Sequence, residues 1–252
     1  MLYTVLDIET TGLMKFDVNA ELIPDLLEAS FLQVDSSNLR IVKSGTLWFY
    51  QPHFDIENDA QQIHHLERKF LMQFEDQFEE NLIALASLMT NAVIMGKNSR
   101  KFDIPFIKHF LDKYTGKSYD IGDITARLAM KNYDKSGIVY HESNITHIDI
   151  QDMYAPVYRV KKFLMDIGEI SSFYDSSFTL ARFNEINEGT DKRKRGHLTD
   201  YIDIMPDGRK MTQQLYDSLP KDIETKEHGA LYDVCMTYVV YLDYILLKGR
   251  LK

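Results

Sequence analysis

The sequence predicts an α/β or α+β domain built on one mixed β-sheet that helices flank. Two patterns support this prediction. Short apolar, β-branched segments dominate the first fifty residues and recur twice later, and longer segments carry apolar residues at every third or fourth position. Their order is three strands, helix, strand, helix, strand and further helices, which is the order expected of one mixed sheet.

Five segments are predicted to form the strands. Leu2–Glu9 is apolar and β-branched, as buried strands are. Leu27–Asp35 and Arg40–Pro52 follow, and the turn-forming "SSN" between them predicts an antiparallel meander. The short apolar Ala92–Gly96 and the later His147–Tyr154 complete the set.

Three segments have the period of amphipathic helices. The first runs from Leu66 to Met89, and the second, Asp103–Gly116, has Pro105 in its first turn and a glycine at its end. The last begins near Ala230 and keeps its apolar period to Leu246. The large apolar residues that define the first helix are Phe70, Phe74, Phe78, Leu82, Leu85 and Met89.

Two polar, weakly periodic stretches interrupt this pattern, at about 119–146 and 168–196. We predict that both are insertions on a single domain that covers residues 1–252, because neither a repeat nor a linker divides the chain.

Composition narrows the class of protein. The chain has 252 residues, a formal net charge of −9 and one cysteine, Cys235, so an intrachain disulfide is impossible and a reducing, cytoplasmic setting is expected. No apolar run reaches the roughly 20 residues of a membrane span, and the N-terminus lacks the features of a signal peptide, so no membrane partner is expected. The acidic balance argues against passive nucleic-acid binding, but not against an enzyme with a local basic patch and bound cations.

Two carboxylates end the first predicted strand, in the stretch "VLDIETTGL". Because strand side chains alternate, Asp7 and Glu9 project from the same face, roughly 7 Å apart. Two like charges at such a short distance repel each other and cost desolvation energy on an apolar sheet. A cation between them makes the electrostatic energy of the group favourable. We therefore predict a metal site here, and the alternative is an exposed strand end without a role.

The "TTG" that follows is a candidate substrate clamp. The hydroxyls of Thr10 and Thr11, with the tight turn that Gly12 allows, suit a bound hydroxyl or phosphate. An ordinary strand exit would use the same residues, so this alternative stays open.

A second polar stretch, "NSRKFDIPF", carries another candidate carboxylate. Asp103 lies where a strand ends and a helix begins, and it is either a ligand or a helix cap. Asn98 is expected to brace this loop. Phe102 either packs in the core or offers a face to a base.

A histidine and an aspartate near the last helix form the final candidate pair. His228 and Asp233 are five positions apart, about 140° of rotation on an ideal helix, so they would not share a face. We therefore place His228 in the turn before the helix, from which it can overhang a site that Asp233 reaches. Among its apolar neighbours, Asp233 is otherwise a poorly placed charge.

Together these residues resemble the three exonuclease motifs of the DEDDh 3'-5' exonucleases, the ribonuclease H-like group that contains polymerase proofreading subunits and ribonuclease T. The stretch "LDIETTGL" resembles the first motif, "NSRKFDIPF" the second, and "HGALYDV", with His228 five residues before Asp233, the third. The stretch "IHHL", which contains His64, resembles the family's segment of histidine, glycine and a hydrophobic residue. The resemblance implies a ribonuclease H-like mixed five-stranded sheet.

The resemblance also implies a two-metal hydrolase. Asp7, Glu9 and Asp233 would hold the metal that carries the nucleophilic water, while Asp7 and Asp103 would hold the second. Oxygen ligands without a thiolate suit two Mg²⁺ or Mn²⁺ ions. The catalytic residues would be Glu9 and, as general base, His228. The implied substrate contacts are Thr10, Thr11, Gly12, Leu13, His64, Asn98 and Phe102.

The function expected from this resemblance is hydrolysis of single-stranded nucleic acid from the 3' end to nucleoside 5'-monophosphates, with DNA favoured over RNA. An RNA-trimming or oligoribonucleotide-degrading enzyme is an alternative, because contacts to the 2'-hydroxyl decide the matter and no single residue settles them. A polymerase-associated binding subunit with little activity is a third, although the intact set of acidic residues argues against it. The expected partners are DNA or RNA 3' ends and a DNA polymerase.

Two basic clusters, "RVKK" and "KRKR", stand out in this acidic chain. Such clusters usually form solvated faces. For the second cluster, Lys192–Arg195, we predict that it guides the incoming strand.

Overall fold

The computed structural model describes residues 1–12, 24–90, 92–116, 138–141, 144–175, 180–189, 195–220 and 229–250. Its strands are β1 (Leu2–Thr10), β2 (Leu26–Asp35), β3 (Arg40–Trp48), β4 (Ala92–Gly96), β5 (Ile138–His141) and β6 (Asn144–Asp149). Its α-helices are α1 (Asn58–His64), α2 (Arg68–Leu71), α3 (Phe78–Met89), α4 (Asp103–Thr115), α5 (Ile150–Asp166), α6 (Leu180–Gly189), α7 (Leu198–Ile204), α8 (Gly208–Ser218) and α9 (Ala230–Arg250).

The strands form one mixed sheet in the order β3-β2-β1-β4-β6-β5. The first three strands are antiparallel neighbours, β4 and β6 run parallel to β1, and β5 pairs antiparallel with β6. The predicted ribonuclease H-like mixed sheet is therefore confirmed. A sixth strand, β5, extends it at one edge and falls within the stretch predicted as the first insertion.

Helices cover both faces of the sheet, and the alternation of β1 divides the core between them. Tyr3 and Val5 belong to the cluster that packs under α5, α7 and α9. Leu6 and Ile8 belong to the opposite cluster, under α3 and α4. Even and odd positions of the strand therefore serve different helical layers, as a period of two requires.

The long helix predicted from Leu66 to Met89 is wrong in its first half. The chain instead forms α2, a 3₁₀ helix over Met72–Gln77, and then α3. Phe70 and Phe74 both pack on Trp48, with ring centroids 5.0 and 5.6 Å from its own. Packing on one indole decides the path of this segment, and the helical spacing of its aromatic residues does not require a continuous α-helix.

The strand predicted over His147–Tyr154 ends earlier than expected, at Asp149, and α5 begins with the next residue. The side chain of Asp149 accepts a hydrogen bond from the amide of Gln151, which is the ordinary way to cap a helix. The predicted third strand also ends early, at Trp48 instead of Pro52.

The predicted helix at Asp103–Gly116 is confirmed. It spans Asp103–Thr115, and Gly116 ends it with a φ of 64°. The predicted C-terminal helix is confirmed as α9. Its stretch Ala230–Leu247 is apolar and long enough to cross a bilayer, but 72% of it is buried inside the fold, as in a core helix. The stretch predicted as the second insertion contains α6.

Candidate active site

The candidate site lies where β1 extends beyond its parallel neighbour. Only Leu2–Val5 pair with β4, so the strand continues to Thr10 without that partner. Asp7 and Glu9 lie in this overhang and continue the row of Tyr3 and Val5, so they face the layer that contains α9. Ligands of open α/β sheets bind at the carboxyl ends of the strands, and these carboxylates lie at such an end.

Asp233 reaches the same place from the first turn of α9. Its charge raises the pKa of Asp7, Glu9 and Glu28, which shows that its carboxylate shares their surroundings. The general base predicted beside it, His228, lies outside the described residues.

Asp103 approaches from the first turn of α4. It is buried, and its charge raises the pKa of Asp7. The alternative interpretation, a helix cap, does not hold, because Phe102 occupies the N-cap position and makes no side-chain cap bond. The carboxylate of Asp103 instead accepts a hydrogen bond from the amide of Ile8, beyond the end of β4.

A buried hydrogen bond holds the turn that carries Asp103. The hydroxyl of Ser99 bonds to Nε2 of His147 on β6 at 2.8 Å. Gly96 permits this approach, since a Cβ there would lie 2.6 Å from that of Ser99. Burial lowers the pKa of His147 to about 3, so its ring is neutral at pH 7 and acts as a fixed hydrogen-bonding group.

A fifth carboxylate, Glu28, belongs to the site and was missed by the sequence argument. It pairs with Glu9 across the β1–β2 ladder and is fully buried. Its Oε1 accepts a hydrogen bond from the Ser30 hydroxyl at 2.8 Å, and the first amides of α9, at Ala230 and Leu231, stabilise its charge. Among the described residues, its Oε2 is buried without a hydrogen bond of normal geometry. The available signal was the single charged residue in the mostly apolar "LLEASFL".

Burial and the neighbouring carboxylates raise the pKa of Asp7, Glu9 and Glu28. Burial and then the charges of Asp103, Asp233, Glu9 and Glu28 raise the pKa of Asp7 well above its usual range. Burial and the charge of Glu28 raise the pKa of Glu9 to about 8, and burial raises the pKa of Glu28 and Asp103 to about 7. Asp7 and Glu9 keep some contact with solvent although protein surrounds them on most sides. Without a nearby cation, the group therefore resists being fully ionised at neutral pH.

This donor set fits a hard divalent cation, because carboxylate oxygens are the ligands that Mg²⁺ and Mn²⁺ prefer. A cation would also compensate the mutual repulsion that raises these pKa values. As the side chains stand, no three or more His, Cys, Asp or Glu residues of the described ranges are arranged to hold a metal ion. The cluster supplies the charge and the chemistry of a metal site, but not a closed ligand shell.

The "TTG" residues form a tight, internally bonded turn. The hydroxyl of Thr10 donates to the carbonyl of Gly12 at 2.7 Å, and the hydroxyl of Thr11 accepts from the amide of Asp25 at 2.8 Å. The carboxylate of Glu57 packs so closely on Gly12 that an added Cβ would lie 2.6 Å from it. Both hydroxyls thus serve the strand exit, and the glycine is required by this close approach. Leu13 lies outside the described residues.

The other predicted substrate contacts lie around the cluster. His64 is buried, burial lowers its pKa to about 4, and the backbone of Thr10 partly opposes that shift. Its Nδ1 accepts a hydrogen bond from the amide of Leu66, so the ring is neutral and fixed. Asn98 adopts a left-handed conformation with a φ of 58°, and its amide donates to Asp149 at 3.0 Å.

Phe102 is half-buried. Its ring packs on Phe106 with a centroid distance of 5.7 Å, within the core cluster under α4. Most of this ring therefore packs in the core, which was one of the two alternatives for Phe102.

Neither a protein-family profile nor a curated protein matches the sequence. Solved structures do match. The chain is similar to E. coli exonuclease I in complex with a dT13 oligonucleotide (14% identity, TM-score 0.52), covering 97% of this chain and 40% of that one. It is similar to a product-bound exonuclease I (14%, 0.54; 99% and 44%) and to the zinc-bound form of the E. coli exonuclease I–ssDNA complex (13%, 0.51; 98% and 40%).

The chain thus spans about two fifths of the length of the exonuclease I chains. Identities this low establish the fold alone. The chain has the ribonuclease H-like fold of the DEDDh-type 3'-5' exonucleases, as the motif resemblance predicted.

Proposed function

We propose that this protein is a 3'-5' exonuclease that hydrolyses single-stranded nucleic acid from the 3' end to nucleoside 5'-monophosphates. The observation that carries the proposal is the convergence of five carboxylates from β1, β2, α4 and α9 at one strand end. A fold without such chemistry has no reason to bury so many like charges, because each costs desolvation energy and repels the others.

In this proposal, Asp7, Glu9, Asp103 and Asp233 hold two divalent cations, Mg²⁺ or Mn²⁺. When bound, two such ions stabilise the attacking and leaving oxygens of an in-line displacement at phosphorus. Glu28 lies behind Glu9, and its hydrogen bond to Ser30 and its contact with the first amides of α9 tie β2 to the helix that carries Asp233. We assign Glu28 to positioning, because it is fully buried.

His228 is proposed to accept the proton of the attacking water, since imidazole is a suitable base near neutral pH. The sequence places it one residue before Gly229, whose carbonyl accepts the amides of Tyr232 and Asp233 in the first turn of α9. A histidine in that position is expected to overhang the cluster.

The terminal nucleotide is proposed to lie against the "TTGL" turn, with His64, Asn98 and Phe102 around it. Because the hydroxyls of Thr10 and Thr11 already bond to backbone groups, their contribution is to fix the turn. Leu13 would then contact the terminal base.

DNA is the favoured substrate. Its support is the likeness in fold to exonuclease I structures that contain dT13 or ssDNA. An RNA-trimming enzyme is the alternative. A polymerase-associated binding role gains nothing from the described residues, because such a role gives no reason to keep five carboxylates together.

The test is digestion of 3'-labelled and 5'-labelled DNA and RNA 20-mers by the full chain with Mg²⁺, with Mn²⁺ and with excess EDTA. Stepwise loss of the 3' label as mononucleotide, stopped by EDTA, is the expected result. Undiminished digestion in EDTA, or release of the 5' label first, would contradict the proposal. Comparison of the two polymers decides between DNA and RNA.

A further inference from the structure

A groove of about 990 Å³ lies beside the carboxylate cluster. Four described segments line it: the turn at Lys97–Lys101, one side of α5, the end of α6 at Gly189, and the residues around Arg195 that precede α7. Asn98 lines the groove, and its backbone amide donates a hydrogen bond to Asp149. The charge of Asp149 raises the pKa of Asp103. Lys97 also lines it, and its charge lowers the pKa of Asp103. The groove and the cluster are therefore neighbours that share one turn.

The charge of the groove is opposite to that of the whole chain. The chain carries a formal net charge of −9, yet among the residues that the structure describes, Asp166 is the one carboxylate that lines this groove. The cations that line it are Lys97, Lys101, Arg159, Lys162 and Arg195. Such a local reversal of sign attracts a polyanion to one place on an acidic protein.

The lining side of α5 combines cations with aromatic rings. Tyr158 and Lys162 are four positions apart, as are Arg159 and Phe163, so both pairs lie on adjoining rows of one helical face. From Tyr158 to Asp166 this face is about 12 Å long, given the rise of an α-helix. The ring of Phe163 is 41% exposed. Proteins that bind single-stranded nucleic acid commonly combine cations along the path of the phosphate backbone with exposed aromatic rings on which bases stack.

Existing ion pairs hold Lys162 and Arg195 weakly enough for exchange. Lys162 pairs with Asp166 at 3.3 Å, but both side chains are more than half exposed, and such pairs contribute little. Arg195 lies 3.8 Å from Asp152, which also binds Arg100 at 2.9 Å. Asp152 thus orients Arg195 without competing strongly for its charge.

We propose that this groove binds the phosphodiester backbone of the strand upstream of its 3'-terminal nucleotide, with Phe163 as a stacking surface for a base. The inference rests on the proposed function and deepens it by naming the surface that the longer substrate needs.

The test is equilibrium binding of 5'-labelled dT20 and rU20 to the full chain in EDTA, by fluorescence anisotropy at 50 to 200 mM salt. The groove variant is Lys101→Gln/Lys162→Gln/Arg195→Gln. Its slope of log affinity against log salt should be shallower by about 2, because each phosphate contact contributes about 0.7 on a single strand. Its affinity near 100 mM salt should fall on the order of 10- to 100-fold.

The matched control removes the same charge elsewhere, in Lys43→Gln/Lys69→Gln/Lys210→Gln, three exposed cations that do not line the groove. An equal loss in this control would show that total charge alone acts, and would overturn the proposal. An unchanged slope in the groove variant, or no binding by the parent chain, would also overturn it. So would displacement of the strand by an acidic decapeptide at lower concentration than by unlabelled strand, which would identify a docking site for protein.

Comparison of dT20 with rU20 decides whether the groove accepts DNA or RNA. The polymer that binds with the predicted salt slope is the one that the groove accepts. For stacking, Phe163→Ala should weaken binding on the order of tenfold, whereas Ile83→Ala, at a more exposed apolar residue on α3, should not. Equal effects would overturn that part. If the groove binds the strand but the chain does not hydrolyse it, the proposed function alone is contradicted. If the chain hydrolyses the strand but the groove substitutions do not change binding, this inference alone is contradicted.

Discussion

The carboxylate cluster (Asp7, Glu9, Glu28, Asp103 and Asp233) and the basic groove adjoin each other, but burial has made them different. Burial raises the pKa of Glu9 to about 8 and that of Glu28 to about 7. The groove cation Lys162, by contrast, is about half exposed and makes only a surface ion pair. Like charges that are buried need a compensating ion and so favour chemistry, whereas exposed charges cost little and favour affinity that depends on salt.

The sharpest test of this difference removes one charge from each region. Asp7→Ala should reduce nuclease activity on the order of 10³-fold or more, since loss of even one preorganised active-site group costs about 10² to 10³. Lys162→Gln should change kcat less than about tenfold, because it affects binding of the strand. Steady-state kinetics on a 20-mer measures both, with Asp59→Ala as a control at an exposed carboxylate on α1. Similar losses in kcat from both substitutions would remove the distinction.

The next test concerns the base that the cluster is expected to use. His228→Ala should slow turnover on the order of 10² to 10⁴-fold, the usual contribution of general-base catalysis. The rise in Tm on addition of Mg²⁺ or Mn²⁺ should persist, because the carboxylates remain. His65→Asn, at the left-handed residue that ends α1, is the control histidine. If kcat is the same in His228→Ala and in the parent across neutral pH, another group is the base.

A smaller effect is expected in the stability of the metal-free chain. The folded-state pKa values of Glu9, Glu28 and Asp103 lie above their unfolded values, so the native state binds more protons between about pH 4 and pH 8. Their contribution to stability is therefore present at low pH and is lost as the pH rises through 7 to 8. The Tm should fall by roughly 5 to 10 °C between pH 5.5 and 8.5.

Glu28→Gln should flatten this pH dependence and raise the Tm at pH 8.5 in EDTA, because it removes a buried charge and keeps the shape of the side chain. Glu75→Gln, at an exposed glutamate, should do neither. Thermal melts at several pH values measure both. A steeper pH dependence in Glu28→Gln would mean that this carboxyl group is not a source of repulsion.

The smallest effect is expected at Asn98, which the two regions share. Its left-handed backbone is tolerated by asparagine and glycine, but it costs alanine roughly 1 kcal/mol. Asn98→Ala should lower the Tm by about 2 to 4 °C, and Asn98→Gly should stay within about 1 °C of the parent. Equal melting of the two variants would show that the backbone conformation is not what holds this turn.

Part of the fold was predictable from sequence because local rules governed it. The alternation of β1, the glycine that ends α4 and the apolar period of α9 are each properties of a short segment. The segment 66–89 was not predictable in this way, because Trp48, far away in the chain, decides how Phe70 and Phe74 pack.

The same distinction, between features set within one segment and features set by tertiary packing, applies to the candidate site. Strand alternation alone indicates that Asp7 and Glu9 share one face, and the motif spacing singles out Asp103 and Asp233 as further candidates. Only the tertiary structure placed Glu28 opposite Glu9 and under the first amides of α9, because that contact depends on strand register and helix docking. Only the tertiary structure assembled the basic groove, since its cations are separated by up to about a hundred residues in the sequence and become one surface when the α5 face meets the Lys97–Lys101 turn. Spacing within a segment fixes which side chains share a face, but which faces meet depends on the packing of the whole chain.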